Sequence, residues 1–171
     1  MSETSTCKSH FAPFCKGNGA DLGFGDDPIN ETAICIDRAE GAEGRAPGPY
    51  LHLTHYVGDV RHLPFRNGVL DYVFSSHVLE DFPERETWPV LLEWLRVIKP
   101  GGYLCLFLPD QPTYAAHCAA RGVEPNRAHK VSHFGLDYVK RCLVGAPAKV
   151  ISETFPFPGN AYSFATVLQK L

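Results

Sequence analysis

The chain has 171 residues, of which 44% are hydrophobic and 20% are charged, and its net charge at pH 7 is −3. This length is enough for one domain with a sizeable core. The acidic balance, without any cluster of Lys and Arg, argues against a surface that binds nucleic acid. No apolar run approaches the length of a membrane span and the N-terminus lacks the apolar core of a signal peptide, so a soluble cytoplasmic protein without membrane contact is expected.

The N-terminal third of the chain predicts an arm followed by closely spaced strands. Residues 1–16 are polar and irregular and are expected to form a flexible arm, with a single domain over residues 17–171. Strands are predicted over residues 19–25 and 33–37, and the gap between them is too short for the usual crossover helix. Residues 41–49 are expected to be a loop, and residues 50–57 are a candidate third strand.

The middle of the chain predicts an alternation of strands and helices, which indicates an α/β fold. Residues 69–76 form a β-rich apolar run, and residues 103–108 predict a strand buried on both faces. Between these strands a helix is predicted, with Thr87 as its N-cap and Pro89 in its first turn. Its apolar residues recur at helical spacing: Trp88, Leu91, Leu92, Leu95 and Ile98.

The C-terminal third predicts one more helix and a closing hairpin. The helix is expected over residues 136–143, and the two hairpin strands over residues 148–155 and 161–170. The aromatic residues of this hairpin are interpreted as core more readily than as a substrate platform: Phe155, Phe157, Tyr162 and Phe164. The connection over residues 110–132 has no sustained helical period, and a connection of that length is usually functional or disordered.

A glycine-rich turn follows the first strand. Gly23 and Gly25 leave backbone amides facing outward without a Cβ in the way. Asp37 ends the next strand, where a carboxylate would bind a ribose diol in a nucleotide-type site. Asp26 and Asp27 follow the glycines, and two carboxylates there would repel a pyrophosphate, which disfavours a dinucleotide.

Four ordered motifs carry a family resemblance. They are Gly58-Asp59-Val60, Leu63-Pro64-Phe65, the run LDYVFSSHVLE at residues 70–80, and Lys99-Pro100-Gly101-Gly102. In this order and spacing the chain resembles class I S-adenosylmethionine-dependent methyltransferases of the type 11 group over residues 19–110. The resemblance implies a Rossmann-like sheet, mostly parallel with a C-terminal antiparallel hairpin. It also implies methyl transfer from S-adenosylmethionine, with a small molecule or a sugar as the acceptor because there is no inserted substrate domain.

The resemblance also implies roles for individual residues. Asp21, Gly23 and Gly25 match the motif that wraps the methionine part of the cofactor, and Asp37 matches the ribose-binding acid. Asp59 matches the carboxylate that accepts from the adenine amino group, with the Val60 amide beside it. Ser76 and His77 match the segment between cofactor and substrate, whereas residues 99–102 match a structural turn. A cationic cofactor suits the acidic surroundings.

The chain departs from the family pattern in the glycine loop. Asp27 replaces the third glycine, and the helix that normally follows the loop is nearly absent. This departure leaves an alternative function open, that of a non-catalytic module that kept the methyltransferase fold and lost cofactor affinity.

Three histidines are candidate catalytic residues. His77 is interpreted either as a general base or as a hydrogen-bonded histidine at a strand end. His129 or His133 is expected to reach the acceptor from a wall formed by residues 110–133. A zinc pair made by the latter two lacks a third ligand, so no metal is expected. Glu80 and Asp81 are interpreted as a solvated pair before the helix.

The cysteines are expected to be reduced and unligated. The chain has six, at positions 7, 15, 35, 105, 118 and 142, and none forms a CxxC pair. Cys35 and Cys105 lie in apolar strands and are interpreted as core residues. A zinc site on Cys7, His10 and Cys15 would lack a fourth ligand.

Overall fold

The computed structural model describes residues 2–25, 27–37 and 55–171. The elements of these residues are, in chain order, α1 (Glu3–Phe11), β1 (Gly19–Leu22), β2 (Ile34–Asp37), β3 (His55–Val57), β4 (Leu70–Ser76), a 3₁₀ turn (Leu79–Asp81), α2 (Glu84–Val97), β5 (Ile98–Pro109), α3 (Gln111–Ala120), α4 (Leu136–Cys142), β6 (Ala148–Thr154) and β7 (Ser163–Lys170). The predicted loop at 41–49 and most of the predicted strand at 50–57 lie outside the described residues. No helix of the described part is both long and apolar enough to cross a membrane.

The strands form one mixed sheet in the order β3-β2-β1-β4-β5-β7-β6. The first five of these strands pair in parallel, whereas β7 runs antiparallel to both β5 and β6. The predicted Rossmann-like fold with a closing antiparallel hairpin is therefore confirmed. Strand order reverses beside β1, and in such sheets ligands bind at the carboxyl ends of the strands near that reversal.

Helix α2 covers one face of the sheet with Leu91 and Leu95 of its predicted apolar period, whereas Leu92 of that period is 36% exposed. Trp94 and Leu95 are completely buried. The predicted start is wrong by four residues, since Pro83 caps the helix and Thr87 lies inside it. The Thr87 hydroxyl is buried and accepts from Tyr138 Oη at 3.0 Å, so tertiary packing uses the group that looked like a cap.

The expectation that residues 1–16 form a loose arm is wrong. Residues 3–11 form α1, and the Ser2 hydroxyl caps this helix by accepting from the Ser5 amide at 3.0 Å. Cys7 and Phe11 are completely buried in a hydrophobic cluster that includes Phe74 and Phe107 of the sheet. Only two apolar side chains carry this packing, which is too few to produce a visible period in the sequence.

The segment after β5 is also more regular than expected. Residues 111–120 form α3, and the Asp110 side chain caps it by accepting from the Thr113 amide at 3.1 Å. Pro112 lies within the first turn, where a helix does not need the missing amide hydrogen. The proline that suggested a loop is therefore compatible with the start of a helix.

The hairpin aromatics divide between core and surface. Phe157 and Phe164 are buried, in agreement with a hairpin core. Phe155 is 43% exposed, so it does not belong to that core. Tyr162 lies before β7, and its ring and hydroxyl belong to the polar cluster described below.

Candidate active site

A cavity of about 580 Å³ opens at the carboxyl ends of the parallel strands. Sites for small molecules and cofactors typically have volumes of about 300–1,000 Å³. The sequence-predicted residues that line this cavity are Gly23, Asp37, Asp59, Val60 and His77. These residues come from four separate segments of the chain, and the fold brings them together.

The glycine loop has the backbone conformation that only glycine adopts at low cost. Gly23 and Gly25 have φ angles of +71° and +56°. A Cβ on Gly23 would lie 2.2 Å from Cγ2 of Val78, whereas a Cβ on Gly25 would meet nothing within 4 Å. The Gly25 amide donates to Oδ2 of Asp37 at 3.1 Å, which links the loop to the end of β2.

Asp21 lies below this loop rather than in the cavity wall. Its side chain is completely buried, and Oδ2 accepts from the Ile29 amide at 2.6 Å. Within the described residues, Oδ1 has no hydrogen-bond partner. Burial raises the pKa of this carboxyl to about 8, so at pH 7 it is mainly protonated. Ser76 is also buried, and its Oγ likewise has no described partner.

Asp27, in the position of the third glycine, does not widen an acidic mouth as expected. Its carboxylate contacts the Lys8 ammonium and the hydroxyls of Ser2 and Ser5, all from α1. Asp27, which stands where the family has a glycine, therefore links the glycine loop to the N-terminal helix.

Asp59 forms an ion pair at the cavity wall. Its Oδ2 accepts from Nη2 of Arg61 at 2.7 Å, and Nη1 of the same guanidinium donates to Glu86 at 3.1 Å. Hydrogen bonds from Arg61 hold the pKa of Asp59 below its usual value, so Asp59 is ionised at pH 7. The Val60 carbonyl accepts from the Trp94 indole at 2.9 Å, which fixes the backbone of this segment against α2. The sequence motif predicted Asp59 and Val60 but not the role of Arg61.

The cavity has an acidic lining. Its acidic side chains are Asp37, Asp59, Asp81 and Glu86, and its basic side chains are Arg61 and Lys130. With histidine neutral, these residues carry a formal charge of −2. Such a lining favours a cationic ligand over an anionic one.

His77 is held in a strained conformation at the cavity wall. Its φ is +53°, which is uncommon for a residue other than glycine. Nε2 lies 3.1 Å from Ser163 Oγ, and Nδ1 lies 3.4 Å from Oε1 of Glu80. Burial lowers the pKa of His77 to about 3, and His129 lowers it further, so the ring is neutral at pH 7.

Glu80 is buried, so its interpretation as a solvated residue is wrong. Its side chain is 1% exposed, and Oε1 lies 3.7 Å from Nε2 of His129. Nδ1 of His129 lies 2.7 Å from Oε1 of Gln111 at the start of α3. On the other side of His77, Glu3 of α1 lies 3.7 Å from Nε2. Glu80 therefore joins two of the predicted histidines, and neither it nor Glu3 was identified from the sequence.

His133 lies apart from this cluster. Its side chain is 54% exposed, and Nε2 lies 3.7 Å from Oε1 of Glu84. It lines a separate depression of about 310 Å³ together with Asp110 and Arg141. Of the two histidines proposed for the acceptor wall, His129 therefore lies in the cluster with Glu80 and His133 lies outside it.

The described residues contain no group of three or more His, Cys, Asp or Glu side chains that could hold a metal ion. All six cysteines are free thiols, and five of them are buried.

Comparison with known proteins agrees with this architecture. No curated protein matches the chain. The PH0226 protein of Pyrococcus horikoshii superposes with a TM-score of 0.76 at 20% identity, over 98% of this chain and 89% of that one. A Thermotoga maritima protein described as an S-adenosylmethionine-dependent methyltransferase, possible histamine N-methyltransferase, gives 0.69 at 17% identity, over 99% and 88%. An S-adenosylmethionine-dependent methyltransferase from Mesorhizobium loti gives 0.69 at 14% identity, over 99% and 98%.

The family comparison covers more than half of the chain. A family model described as "Methyltransferase domain" matches residues 9–106, from α1 to the centre of β5. This range contains the glycine loop, the Asp59 segment, His77 and Glu80. The chain therefore belongs to the methyltransferase domain family.

Proposed function

We propose that this methyltransferase binds S-adenosylmethionine in the 580 Å³ cavity and transfers the methyl group to a small-molecule or sugar acceptor. The observation that carries the proposal is the convergence of Gly23, Asp37, Asp59 and His77 on that one cavity. Each belongs to a motif that the sequence analysis assigned to the cofactor or to the acceptor. Four segments without a shared function would not be expected to place their motif residues on one cavity.

The residues present fit the cofactor. The acidic lining suits a ligand that carries a sulfonium and an ammonium against one carboxylate. Gly25 leaves open space beside its backbone, where the methionine part can approach. Asp37 would accept from the ribose hydroxyls. Asp59 would accept from the adenine amino group in exchange for part of its contact with Arg61, which donates four hydrogen bonds to this carboxylate.

When bound, the cofactor supplies an electrophilic methyl group on sulfur. The protein has to align the acceptor atom with that carbon and to receive a proton if the acceptor is an alcohol or an amine. His77 is neutral and lines the cavity, with Nδ1 facing Glu80 and Nε2 facing Ser163, so a ring nitrogen can take that proton only after the contact with Ser163 opens.

His129 lies in the segment after α3 and contacts Glu80, which in turn contacts His77. Its ring is 6% exposed, which makes it a buried partner of Glu80 rather than a group that meets the acceptor. His133 stays outside the proposed mechanism because it lines a different depression. The acceptor wall is formed by the segment around Ala128 and Lys130, which does line the cavity.

An uncharged acceptor fits this cavity better than an anion. Arg61, one of the two cations in the lining, is already paired with Asp59 and Glu86. A phosphorylated or carboxylated acceptor would therefore meet mostly carboxylates, which repel it. A sugar or another neutral polyol meets hydrogen-bond acceptors instead.

The glycine loop supports a second candidate, a non-catalytic module with the same fold. Asp27 replaces a glycine, and residues 27–33 contain no helix whose N-terminus could face the methionine carboxylate. The loss of that helix end removes about 0.3–1 kcal/mol of binding. This is small beside the total binding energy of a micromolar ligand, about 8 kcal/mol, so the loop alone does not abolish binding.

Calorimetric titration with S-adenosylmethionine and with its demethylated product separates the two candidates. The wild type is expected to bind both. Asp59→Ala is expected to weaken binding by about 1–3 kcal/mol, because the adenine amino group loses its acceptor. Asp71→Asn is the matched control, since Asp71 pairs with Lys99 at the opposite end of β4. Absence of binding at millimolar cofactor would favour the non-catalytic module.

A further inference from the structure

Glu80 has an environment that an ionised carboxylate does not tolerate. The residue is completely buried, and neither carboxyl oxygen has a hydrogen-bond partner within the described residues. A buried charge without hydrogen bonds or a counter-ion costs many kcal/mol, and such a group normally takes up a proton instead. The proposed mechanism uses the histidines on either side of Glu80 but leaves its own state open.

The groups around Glu80 do not provide a permanent positive charge. Oε1 faces Nδ1 of His77 at 3.4 Å and Nε2 of His129 at 3.7 Å. Burial lowers the pKa of both imidazoles, so neither is a strong cation. The other charged groups that act on Glu80 are Asp81 beside it and Glu3 from α1, and both are acidic. Burial, followed by these acidic neighbours, raises the pKa of Glu80 well above its usual value.

The contacts of His129 support the presence of a proton. The Gln111 carbonyl oxygen accepts a hydrogen bond, so Nδ1 of His129 must donate to it. In a neutral imidazole the other nitrogen, Nε2, then carries a lone pair. That lone pair faces Oε1 of Glu80, and two lone pairs repel unless a proton lies on one of the two groups.

We propose that Glu80 is a positioning residue of this site: it carries one proton at neutral pH, shared with the rings of His77 and His129, and keeps the His77 ring neutral at the cavity wall. Ser163 Oγ holds the opposite side of the ring, at 3.1 Å from Nε2. The side chains of Glu80, His77 and Ser163 follow one another as carboxyl, imidazole and hydroxyl, as in a catalytic triad. Ser163 is completely buried, however, and cannot contact a substrate. Its hydroxyl orients the ring.

The consequence for the reaction rests on the proposed function. A neutral ring between a protonated carboxyl and a hydroxyl can receive the proton that an alcohol or amine acceptor loses once Nε2 is released from Ser163. An ionised Glu80 would instead hold a proton on His77 and leave it unable to act as a base. The protonation of Glu80 itself does not depend on methyl transfer and can be tested separately.

The first test compares how stability depends on pH in three proteins. Glu80→Gln mimics the protonated acid in shape and charge, and Glu84→Gln is the matched control because Glu84 is 67% exposed. The folded protein keeps a proton on Glu80 that the unfolded chain loses above its ordinary pKa of about 4.3. As pH rises from 5 to 7, the unfolding constant of the wild type in urea is therefore expected to increase about tenfold per pH unit relative to Glu80→Gln.

The outcomes of this test are distinct. Glu84→Gln is expected to remain parallel to the wild type over the same range. A constant ratio between wild type and Glu80→Gln from pH 5 to pH 7 would show that Glu80 is ionised in the fold, and would overturn the proposal. If Glu80→Gln does not fold, the carboxyl carbons of ¹³C-glutamate-labelled wild type answer the same question. One carbon must keep the shift of the protonated acid at pH 7, and a full set of ionised shifts overturns the proposal.

The second test concerns the positioning role. In ¹⁵N-histidine spectra, the His77 ring is expected to stay neutral and in one tautomer from pH 8 to pH 5 in the wild type and in Glu80→Gln. Glu80→Ala is expected to show mixed tautomers, because the carboxyl contact is lost. A His77 that titrates above 6.5 in the wild type and shifts downward in Glu80→Gln would contradict the proposal, since that pattern marks an ionised carboxylate partner.

The two proposals can fail independently. Titration with S-adenosylmethionine tests the cofactor site and does not require Glu80 to be protonated. A wild type that shows the pH effect without binding cofactor would retain the Glu80 assignment and reject the proposed function. Cofactor binding without the pH effect would support the proposed function and reject the Glu80 assignment.

Discussion

Substitution of the two loop glycines by alanine separates backbone strain from steric collision. Both glycines have positive φ, at +71° for Gly23 and +56° for Gly25, and alanine in this region costs about 1–2 kcal/mol. The two positions differ in their surroundings, because the new Cβ at Gly23 would lie 2.2 Å from Cγ2 of Val78 and the one at Gly25 meets open space. The pair therefore forms a controlled comparison.

The collision adds a second cost at Gly23. Carbon atoms in contact normally lie about 3.5–4.0 Å apart, so the loop or Val78 has to move by more than an ångström. Overpacking of this kind typically costs about 1–3 kcal/mol. We therefore expect Gly25→Ala to lower the free energy of unfolding by about 1–2 kcal/mol. For Gly23→Ala the two costs together are about 2–5 kcal/mol.

The assay is urea unfolding of the two variants and of a double-mutant cycle with Val78→Ala. Removing the colliding methyl group should recover the steric part, so the coupling energy between Gly23→Ala and Val78→Ala is expected to be about 1–3 kcal/mol. Gly25→Ala combined with Val78→Ala is expected to be additive. Calorimetry adds a second readout, because Gly25→Ala should weaken cofactor binding while leaving most of the stability intact.

Equal destabilisation by the two alanines would refute this reasoning. It would show that the loop relaxes away from Val78 at no cost. A coupling energy near zero in the Gly23 cycle would carry the same meaning. Either result would remove the argument that this glycine is required by the close approach of Val78.

Three further predictions concern other parts of the chain. Asp21 has a pKa raised to about 8, so its contribution to stability is complete below the unfolded pKa of about 3.9 and is lost as pH rises towards 8. Asp21→Asn is expected to remove a decline of about 1.4 kcal/mol per pH unit, measured by urea unfolding between pH 5 and 7, and an unchanged slope would contradict this. Cys142 is half-buried while the other five thiols are buried, so it is expected to react first with a thiol reagent in the native protein. The intact mass of the protein is expected to show neither a disulfide nor bound zinc. Amide hydrogen exchange is expected to be slow in α3 without any ligand, whereas residues 121–133 should gain protection only when cofactor and acceptor are bound. Protection of residues 121–133 without ligand would show that this segment is part of the rigid fold and does not respond to the acceptor.

Local sequence patterns were sufficient for most of the sheet and for two helices, α2 and α4. The apolar run of β5 and the period of α2 are strong because each buries many side chains, and burial requires a repeated pattern. The antiparallel hairpin at the C-terminus and the motif order of the cofactor segment were also correct. The family motifs add the expected positions of Asp37 and Asp59, which the fold places on one cavity.

Weak patterns led to the errors in secondary structure. α1 buries only Thr4, Cys7 and Phe11, so its apolar content does not distinguish it from a polar arm. α3 contains Pro112, which favours a loop by propensity and is tolerated because it lies in the first turn. In both helices a side-chain cap decides the start, and a cap becomes visible only when the backbone around it is known.

The sequence by itself determined the fold family and pointed to Asp37 and Asp59, which line the cavity, because these depend on local periodicity and on short motifs. Only the tertiary structure decided the contacts and the protonation state of the side chains around His77. Glu3, His77, Glu80 and His129 come from α1, the end of β4, the 3₁₀ turn and the segment after α3, and each is unremarkable in its own segment. Burial and charge at one atom depend on everything packed around it, so a glutamate that looked solvated in the sequence becomes a carboxyl buried between two imidazoles.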